Sequence, residues 1–179
     1  MFGLAIRYLN GWAMAASDGA KKERPEWPPH PDRVFMALAA AWFETGKDEE
    51  EGLSLGWLES LPVPSLYASE AFPRFCDGDR LQLPTTSYVP VNDTKPKKQK
   101  SKALDFGSLK DAGLDILPEF RSRQERSFPL VVPRFDTVYL IWRETEGQTY
   151  LEALNRLCPT LVYVRHSASF LQLSVADNL

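Results

Sequence analysis

The sequence predicts an α+β fold, in which helices cover one face of an antiparallel sheet. Three observations lead to this prediction. A strand-like segment opens the chain, a long apolar helix follows it, and the segment with the most β-branched and aromatic residues, Thr137–Trp142, comes shortly before a second amphipathic helix. With 179 residues and 44% hydrophobic content, the chain has ample material for the core of one domain.

The first strand is predicted at Phe2–Leu9, where Leu4, Ile6 and Tyr8 alternate onto one face. Residues 11–26 are rich in small and charged side chains and are predicted to form a loop. Further strands are predicted at 65–72, 85–91, 127–132, 136–143, 160–164 and 169–175. Further helices are predicted at 53–61 and 149–157, and residues 47–52 are predicted to be a charged connector.

The main helix is predicted to begin near Pro31, because proline suits the first helical turn and Asp32 favours the positive end of the helix. Every residue from Val34 to Phe43 is apolar, and Gly46 supplies a stop. The apolar run is too short to span a bilayer, which needs about 20 residues. We therefore expect a helix that is buried on most of its surface and lies at the centre of the core.

Positive charge is concentrated in one part of the chain. The formal net charge is −3, yet residues 95–134 contain ten Lys or Arg and only five Asp or Glu. Such an asymmetry can mark a surface that attracts nucleic acid. A solvated polar loop explains the charge equally well.

Three arginines within this region, Arg121, Arg123 and Arg126, are candidate phosphate ligands. The guanidinium group suits phosphate because its planar fork donates two parallel hydrogen bonds. The alternative is an exposed polar turn in which Glu119 and Glu125 pair with the arginines.

Lysines upstream of this cluster would attract phosphate without reading sequence. They are Lys95, Lys97, Lys98, Lys100 and Lys102. The aromatic residues Tyr88, Phe120 and Phe128 flank the basic region and could stack on unpaired bases. Aromatic residues beside strands also commonly belong to a core.

Arg33 stands at the beginning of the main helix, where the helix dipole disfavours a cation. A nearby anion would explain it, so Arg33 is a candidate RNA contact. The alternative is an ion pair with Asp32 or Glu26.

Catalytic signatures are sparse. His166 and the neighbouring Arg165 could act as general base and phosphorane-stabilising cation in metal-independent RNA cleavage, and His30 is the other histidine. Adjacent residues of a strand point to opposite faces, which argues against a shared site unless they lie in a turn. Cys76 and Cys158 are too few for a disulfide scaffold or a zinc cluster, and no cofactor motif is present, so no metal or cofactor is expected.

Four stretches together resemble a known family. They are Trp27–Arg33 with the Ala-rich helix that ends at Trp42, then Tyr88–Asp93, Leu117–Arg126 and Tyr163–Ser169. The resemblance is to the N-terminal, Cas-five-like part of the fused Cas-five/Cas-six subunit of type I-G (formerly I-U) CRISPR effector complexes, a member of the RAMP superfamily.

The resemblance implies a ferredoxin-like, RNA-recognition-motif-like domain over 1–179, with a basic thumb insertion at about 85–133. The sequence departs from the family in length: the family's chains continue into a Cas-six-like half, which is expected to be absent here. It also implies a non-catalytic subunit of the Cascade ribonucleoprotein that binds the 5′ handle of the crRNA in antiviral defence. Its partners would be a Cas-seven-type backbone subunit, a Cas-eight-type large subunit and, indirectly, target DNA. The alternative is a metal-independent crRNA-processing endoribonuclease. The first residues do not resemble a signal peptide, so a cytoplasmic protein without membrane attachment is expected.

Overall fold

The computed structural model describes residues 1–17, 24–73, 85–90, 123–143 and 148–176; for 85–90 and 123–127 only the course of the strands is described. The strands are β1 (Phe2–Tyr8), β2 (Ala13–Met14), β3 (Ser65–Tyr67), β4 (Ala71–Pro73), β5 (Thr85–Pro90), β6 (Arg123–Phe128), β7 (Leu130–Pro133), β8 (Thr137–Trp142) and β9 (Leu171–Ala176). The helices are α1 (Pro31–Glu44), α2 (Glu49–Ser60) and α3 (Gln148–Leu157), and a 3₁₀ turn follows at Cys158–Thr160. No helix among these residues is both long and apolar enough to cross a membrane.

The main sheet has four strands in the order β3-β8-β1-β9, and every neighbouring pair is antiparallel. Along the chain, α1 and α2 lie between β1 and β3, and α3 lies between β8 and β9. This connectivity, β-α-β-β-α-β with the first strand inside the sheet, is the ferredoxin-like arrangement. The predicted fold class is therefore confirmed.

The core lies between this sheet and the three helices. The strand register places apolar residues opposite one another on the inner face: Phe2 opposite Trp142, Leu4 opposite Leu140, Ile6 opposite Val138, and Ile6 opposite Leu173. The rings of Phe2 and Trp142 stack with centroids 4.9 Å apart. The first strand thus alternates as predicted, with Leu4, Ile6 and Tyr8 buried.

Helix α1 begins at Pro31 as predicted, but it is not buried on most of its surface. Val34, Leu38 and Ala41 are buried, whereas Met36 is 64% and Phe43 57% exposed. The prediction of a helix buried on most of its surface is wrong. Only one stripe of α1, at 3.6-residue spacing, is buried, and the neighbouring Phe35, Ala37, Ala39 and Trp42 are partly buried against the core. Part of the other side of the helix is left apolar and open to solvent.

Helix α2 begins earlier than predicted. The carboxylate of Asp48 accepts a hydrogen bond from the Glu51 N–H at 3.1 Å and caps the helix, and acidic residues in the first turn suit the positive helix end. The charged connector predicted at 47–52 is therefore mostly helix. At Gly52 a methyl group would lie 2.8 Å from the Trp42 ring, so a side chain there would displace that ring.

Three strand predictions are wrong. The strand predicted at 127–132 runs across the end of β6 and most of β7, which belong to different sheets. The strand predicted at 65–72 is divided into β3 and β4, which belong to different sheets. The break lies at Ser69, whose carbonyl accepts from Trp27 Nε1 and whose hydroxyl accepts from the Phe135 N–H, both at 2.9 Å. The strand predicted at 160–164 is absent: Thr160 ends the 3₁₀ turn, and Tyr163 forms a single bridge to Phe170.

The remaining strands form a three-stranded sheet in the order β2-β7-β4 and the pair β5-β6. Strand β2 lies within the segment predicted to be a loop. The chain divides into two compact units, one formed by Met1–Thr85 with Phe128–Leu179 and the other by Thr86–Ser127.

Candidate nucleic-acid interface

The face of the four-stranded sheet opposite the helices is named here the outer face. Its side chains alternate with those of the core along each strand. From β3 to β9 the outer face comprises Ser65, Tyr67, Thr137, Tyr139, Ile141, Gly3, Ala5, Arg7, Gln172, Ser174 and Ala176, and Arg143 follows at the end of β8. The mixture of aromatic, basic and small polar side chains differs sharply from the apolar inner face.

Two tyrosines lie side by side on the outer face. Tyr67 pairs directly with Tyr139 across β3 and β8, and Tyr139 pairs with Ala5 across β8 and β1. Tyr67 is 43% exposed and Tyr139 is half-buried. Directly opposed side chains in an antiparallel pair have Cβ atoms about 5 Å apart. The two tyrosines, which lie next to each other on this face, are named here the platform, and the small side chain of Ala5 lies beside Tyr139.

Two arginines flank this platform. Arg143 Nη2 donates a hydrogen bond to the Tyr67 hydroxyl at 2.5 Å. Arg7 Nε donates to Asp136 Oδ2 at 3.1 Å, with both side chains substantially exposed. Hydrogen bonds from Thr137 and then Arg7 hold the pKa of the Asp136 carboxyl below its usual range. The carboxylate is thus ionised at neutral pH, and it occupies part of the donor capacity of Arg7.

This arrangement can hold unpaired nucleic acid. Aromatic faces stack on bases regardless of sequence, and guanidinium groups donate to phosphate oxygens. An open antiparallel sheet with aromatic side chains is also the platform on which RNA-recognition-motif domains stack bases. The outer face combines these three features within the first unit of the chain.

Arg33, predicted as a candidate RNA contact, lies in an ion pair. Its Nε is 3.1 Å from Glu26 Oε2, and the two side chains are only 19% and 13% exposed. A second oxygen of Glu26 accepts from the His30 N–H at 3.2 Å. The carboxylate thus provides the nearby anion that the position of Arg33 at the helix start requires, while RNA contact by Arg33 stays a prediction.

Arg165 and His166 lie in a turn, the condition under which they could share a site. Arg165 has a positive φ of 72°, and its Nη2 donates to the Ala16 carbonyl at 3.1 Å. His166 Nδ1 accepts from the Ala168 N–H at 3.1 Å, and Phe128 contacts the ring edge-on with centroids 4.8 Å apart. Because Nδ1 is an acceptor, the neutral imidazole carries its proton on Nε2.

The basic cluster is described in part. Tyr88 lies in β5, and Arg123 and Arg126 lie in β6, which pairs with β5. Their side chains lie outside the described residues, as do all of Lys95, Lys97, Lys98, Lys100, Lys102, Phe120 and Arg121. Their contribution to RNA binding stays a prediction.

Sequence reasoning missed the outer face. Tyr139 and Arg143 alternate with the core residues of the strongest predicted strand, so their exposure on the opposite face could have been recognised. Tyr67 could not have been placed beside Tyr139, because that requires the register of β3 on β8.

Comparison with known protein families shows to which family the chain belongs. Residues 2–149 match the family model described as CRISPR-associated protein, GSU0054 family. The chain belongs to this CRISPR-associated family. The matched range includes the two platform tyrosines, Tyr67 and Tyr139, and the flanking Arg7 and Arg143. No curated protein matches the chain.

Proposed function

We propose that this chain is a non-catalytic subunit of a type I-G CRISPR effector complex that holds the 5′ handle of the guide RNA. Its platform of Tyr67 and Tyr139 stacks on unpaired bases of that RNA, and Arg7 and Arg143 neutralise the adjacent phosphates. The observation that carries the proposal is this aromatic and basic outer face in a member of a CRISPR-associated family.

The charge distribution of the first unit supports RNA binding on the outer face rather than on the helix side. The outer face carries Arg7 and Arg143, whereas the start of α2 carries Glu49, Glu50 and Glu51. A polyanion is attracted to the former surface and repelled by the latter. The helix side is therefore free for protein contacts, with a Cas-seven-type backbone subunit and a Cas-eight-type large subunit as the proposed neighbours. Target DNA would interact with this subunit only indirectly, through the guide RNA.

The basic region, whose side chains lie outside the described residues, is proposed as a separate RNA contact. Arg121, Arg123 and Arg126 would donate to handle phosphates, with the lysines upstream adding attraction that does not depend on sequence. Charge-assisted hydrogen bonds contribute about 1.5–3 kcal/mol each. Arg121→Ala and Arg123→Ala should therefore each weaken RNA binding measurably.

The direct test is binding of a labelled CRISPR repeat RNA by fluorescence anisotropy, at several salt concentrations. We expect the single-stranded repeat to bind more tightly than oligouridine of the same length. The duplex of the repeat with its complement should bind more weakly than either single strand. Failure of the full chain to bind single-stranded RNA at low salt would refute the proposal. Equal affinity for the duplex would exclude base stacking as its basis.

Metal-independent RNA cleavage is the second candidate, because His166 and Arg165 share one turn. The anisotropy experiment is therefore accompanied by gel analysis of RNA length without added metal. The non-catalytic proposal expects uncut RNA with the wild type and with His166→Ala and His30→Ala alike. Repeat RNA that is cut by the wild type and spared by His166→Ala would establish an endoribonuclease instead.

A further inference from the structure

A groove opens on the helix side of the first unit, away from the outer face. It lies between the start of α1, the end of α2 and the Pro62–Pro64 segment that leads into β3. Its floor includes Leu4 and Leu140 of the core, and its volume is about 600 Å³. Sites of roughly 300–1,000 Å³ accept a small molecule or a few side chains of a partner.

The walls of the groove are apolar, and two of their side chains are highly exposed. Phe35, Met36, Leu61 and Val63 line it, with Met36 64% and Val63 89% exposed. Leu66, which pairs with the floor residue Leu140, extends this apolar surface and is 40% exposed. Contiguous exposed apolar surface of this kind is typical of protein interaction sites.

Two carboxylates stand at the groove. Asp32 from α1 has an 85% exposed side chain whose described contact is His30, with Nδ1 and Oδ2 3.4 Å apart. Glu59 from α2 is exposed and makes no hydrogen bond or ion pair with the described residues. A polyanion would be repelled here, and a cationic side chain of a partner would find two anions on either side of an apolar slot.

We infer that this groove docks a segment of a partner protein in which large apolar side chains are flanked by lysine or arginine. The apolar side chains fill the slot against Phe35, Met36 and Val63, and the flanking cations meet Asp32 and Glu59. Charge complementarity sets this choice of occupant. The inference concerns a surface separate from the RNA platform and does not depend on it.

The test uses three labelled peptides of equal length with the full chain, followed by ¹H–¹⁵N NMR spectra. The first peptide carries two leucines flanked by lysines, the second has glutamate in place of lysine, and the third has serine in place of leucine. We expect the first peptide to bind most tightly and to shift the resonances of Met36, Glu59 and Val63. Equal binding of the first two peptides, or shifts located elsewhere, would overturn the inference.

Two charge-reversal variants of the protein test whether Glu59 attracts the peptide. Glu59→Lys should weaken binding of the basic peptide by roughly three- to tenfold, since it replaces an exposed attraction by a repulsion. Glu44→Lys on the exposed end of α1 is the matched charge-reversal control and should leave peptide affinity unchanged. Both variants should bind repeat RNA with unreduced affinity. Displacement of the peptide by repeat RNA, or self-association of the chain that is abolished by Glu59→Lys, would assign the groove to a different occupant.

Discussion

Tyr67 and Tyr139 lie directly opposite each other across β3 and β8, and Arg143 donates a hydrogen bond to the Tyr67 hydroxyl. Three side chains thereby lie together on the sheet face opposite the helices, and two of them, Tyr67 and Arg143, are joined by a hydrogen bond. The hydrogen bond orients the Tyr67 ring before any ligand arrives. Ordering a side chain in advance reduces the entropy lost on binding.

Replacement of either tyrosine by alanine should weaken binding of single-stranded RNA. Stacking of one base on an aromatic side chain contributes about 1–3 kcal/mol, so Tyr67→Ala and Tyr139→Ala should each raise the Kd by roughly five- to 150-fold. Tyr67→Phe keeps the ring but loses the bond to Arg143, so its effect should be smaller. Anisotropy with labelled repeat RNA measures all three.

The matched control is Tyr163→Ala, which removes a tyrosine of similar exposure, 45%, outside the outer face. Its affinity for RNA should equal that of the wild type. A loss as large as that of Tyr67→Ala would mean that the outer face has no special role. Circular dichroism spectra of all variants check that the fold is retained.

The pair of Arg7 and Asp136 predicts opposite effects from two substitutions. Arg7→Ala removes a phosphate contact, so the slope of log affinity against log salt should fall in magnitude by about 0.7, the value for one contact with a single strand. Asp136→Asn removes a carboxylate that is held ionised beside Arg7 and competes with phosphate, so RNA affinity should rise.

Arg156→Ala provides the control for these variants. Arg156 lies in α3, on the helix side of the sheet, and pairs with Glu50 of α2. Its removal should leave the salt dependence unchanged. An unaltered slope for Arg7→Ala, or weaker binding by Asp136→Asn, would show that Arg7 does not contact the RNA backbone.

The sequence predicted the fold class because local signals and topology agree. Alternation in β1 and the β-branched and aromatic content of β8 identify the two central strands of the sheet. The platform could not be predicted from the sequence, since the pairing of Tyr67 with Tyr139 is a long-range property that no local pattern contains. The exposure of Met36 and Phe43 could not be predicted either, because an unbroken apolar run does not indicate which face of the helix packs against the core.

The single buried stripe of α1 can be tested by stability measurements. Leu38 is fully buried, so Leu38→Ala should lower the free energy of unfolding by about 2–5 kcal/mol. Met36→Ala, two residues away on the exposed side, should change it by less than about 0.5 kcal/mol. Urea unfolding monitored by tryptophan fluorescence measures both. Equal losses of unfolding free energy in the two variants would mean that α1 does not pack against the core through one face.

The thiol of Cys158 should make stability depend on alkaline pH. The side chain is fully buried, and burial raises its pKa from 9.0 to about 12. A group whose folded-state pKa is raised contributes stability that is complete below the unfolded pKa and is lost as pH rises toward the folded value. The window is therefore pH 9 to 12, with a slope of up to about 1.4 kcal/mol per pH unit.

The comparison of wild type with Cys158→Ala isolates this contribution, because other ionisable groups, including the buried Tyr8, whose pKa is also raised, are common to both proteins. The stability advantage of the wild type should be constant below pH 8 and should shrink by about 2 kcal/mol by pH 10.5. Urea midpoints at pH 7.5 and 10.5 measure it. An advantage that stays constant across this range would mean that the thiolate forms as easily in the folded chain as in the unfolded one. The Cys158 side chain would then be open to water.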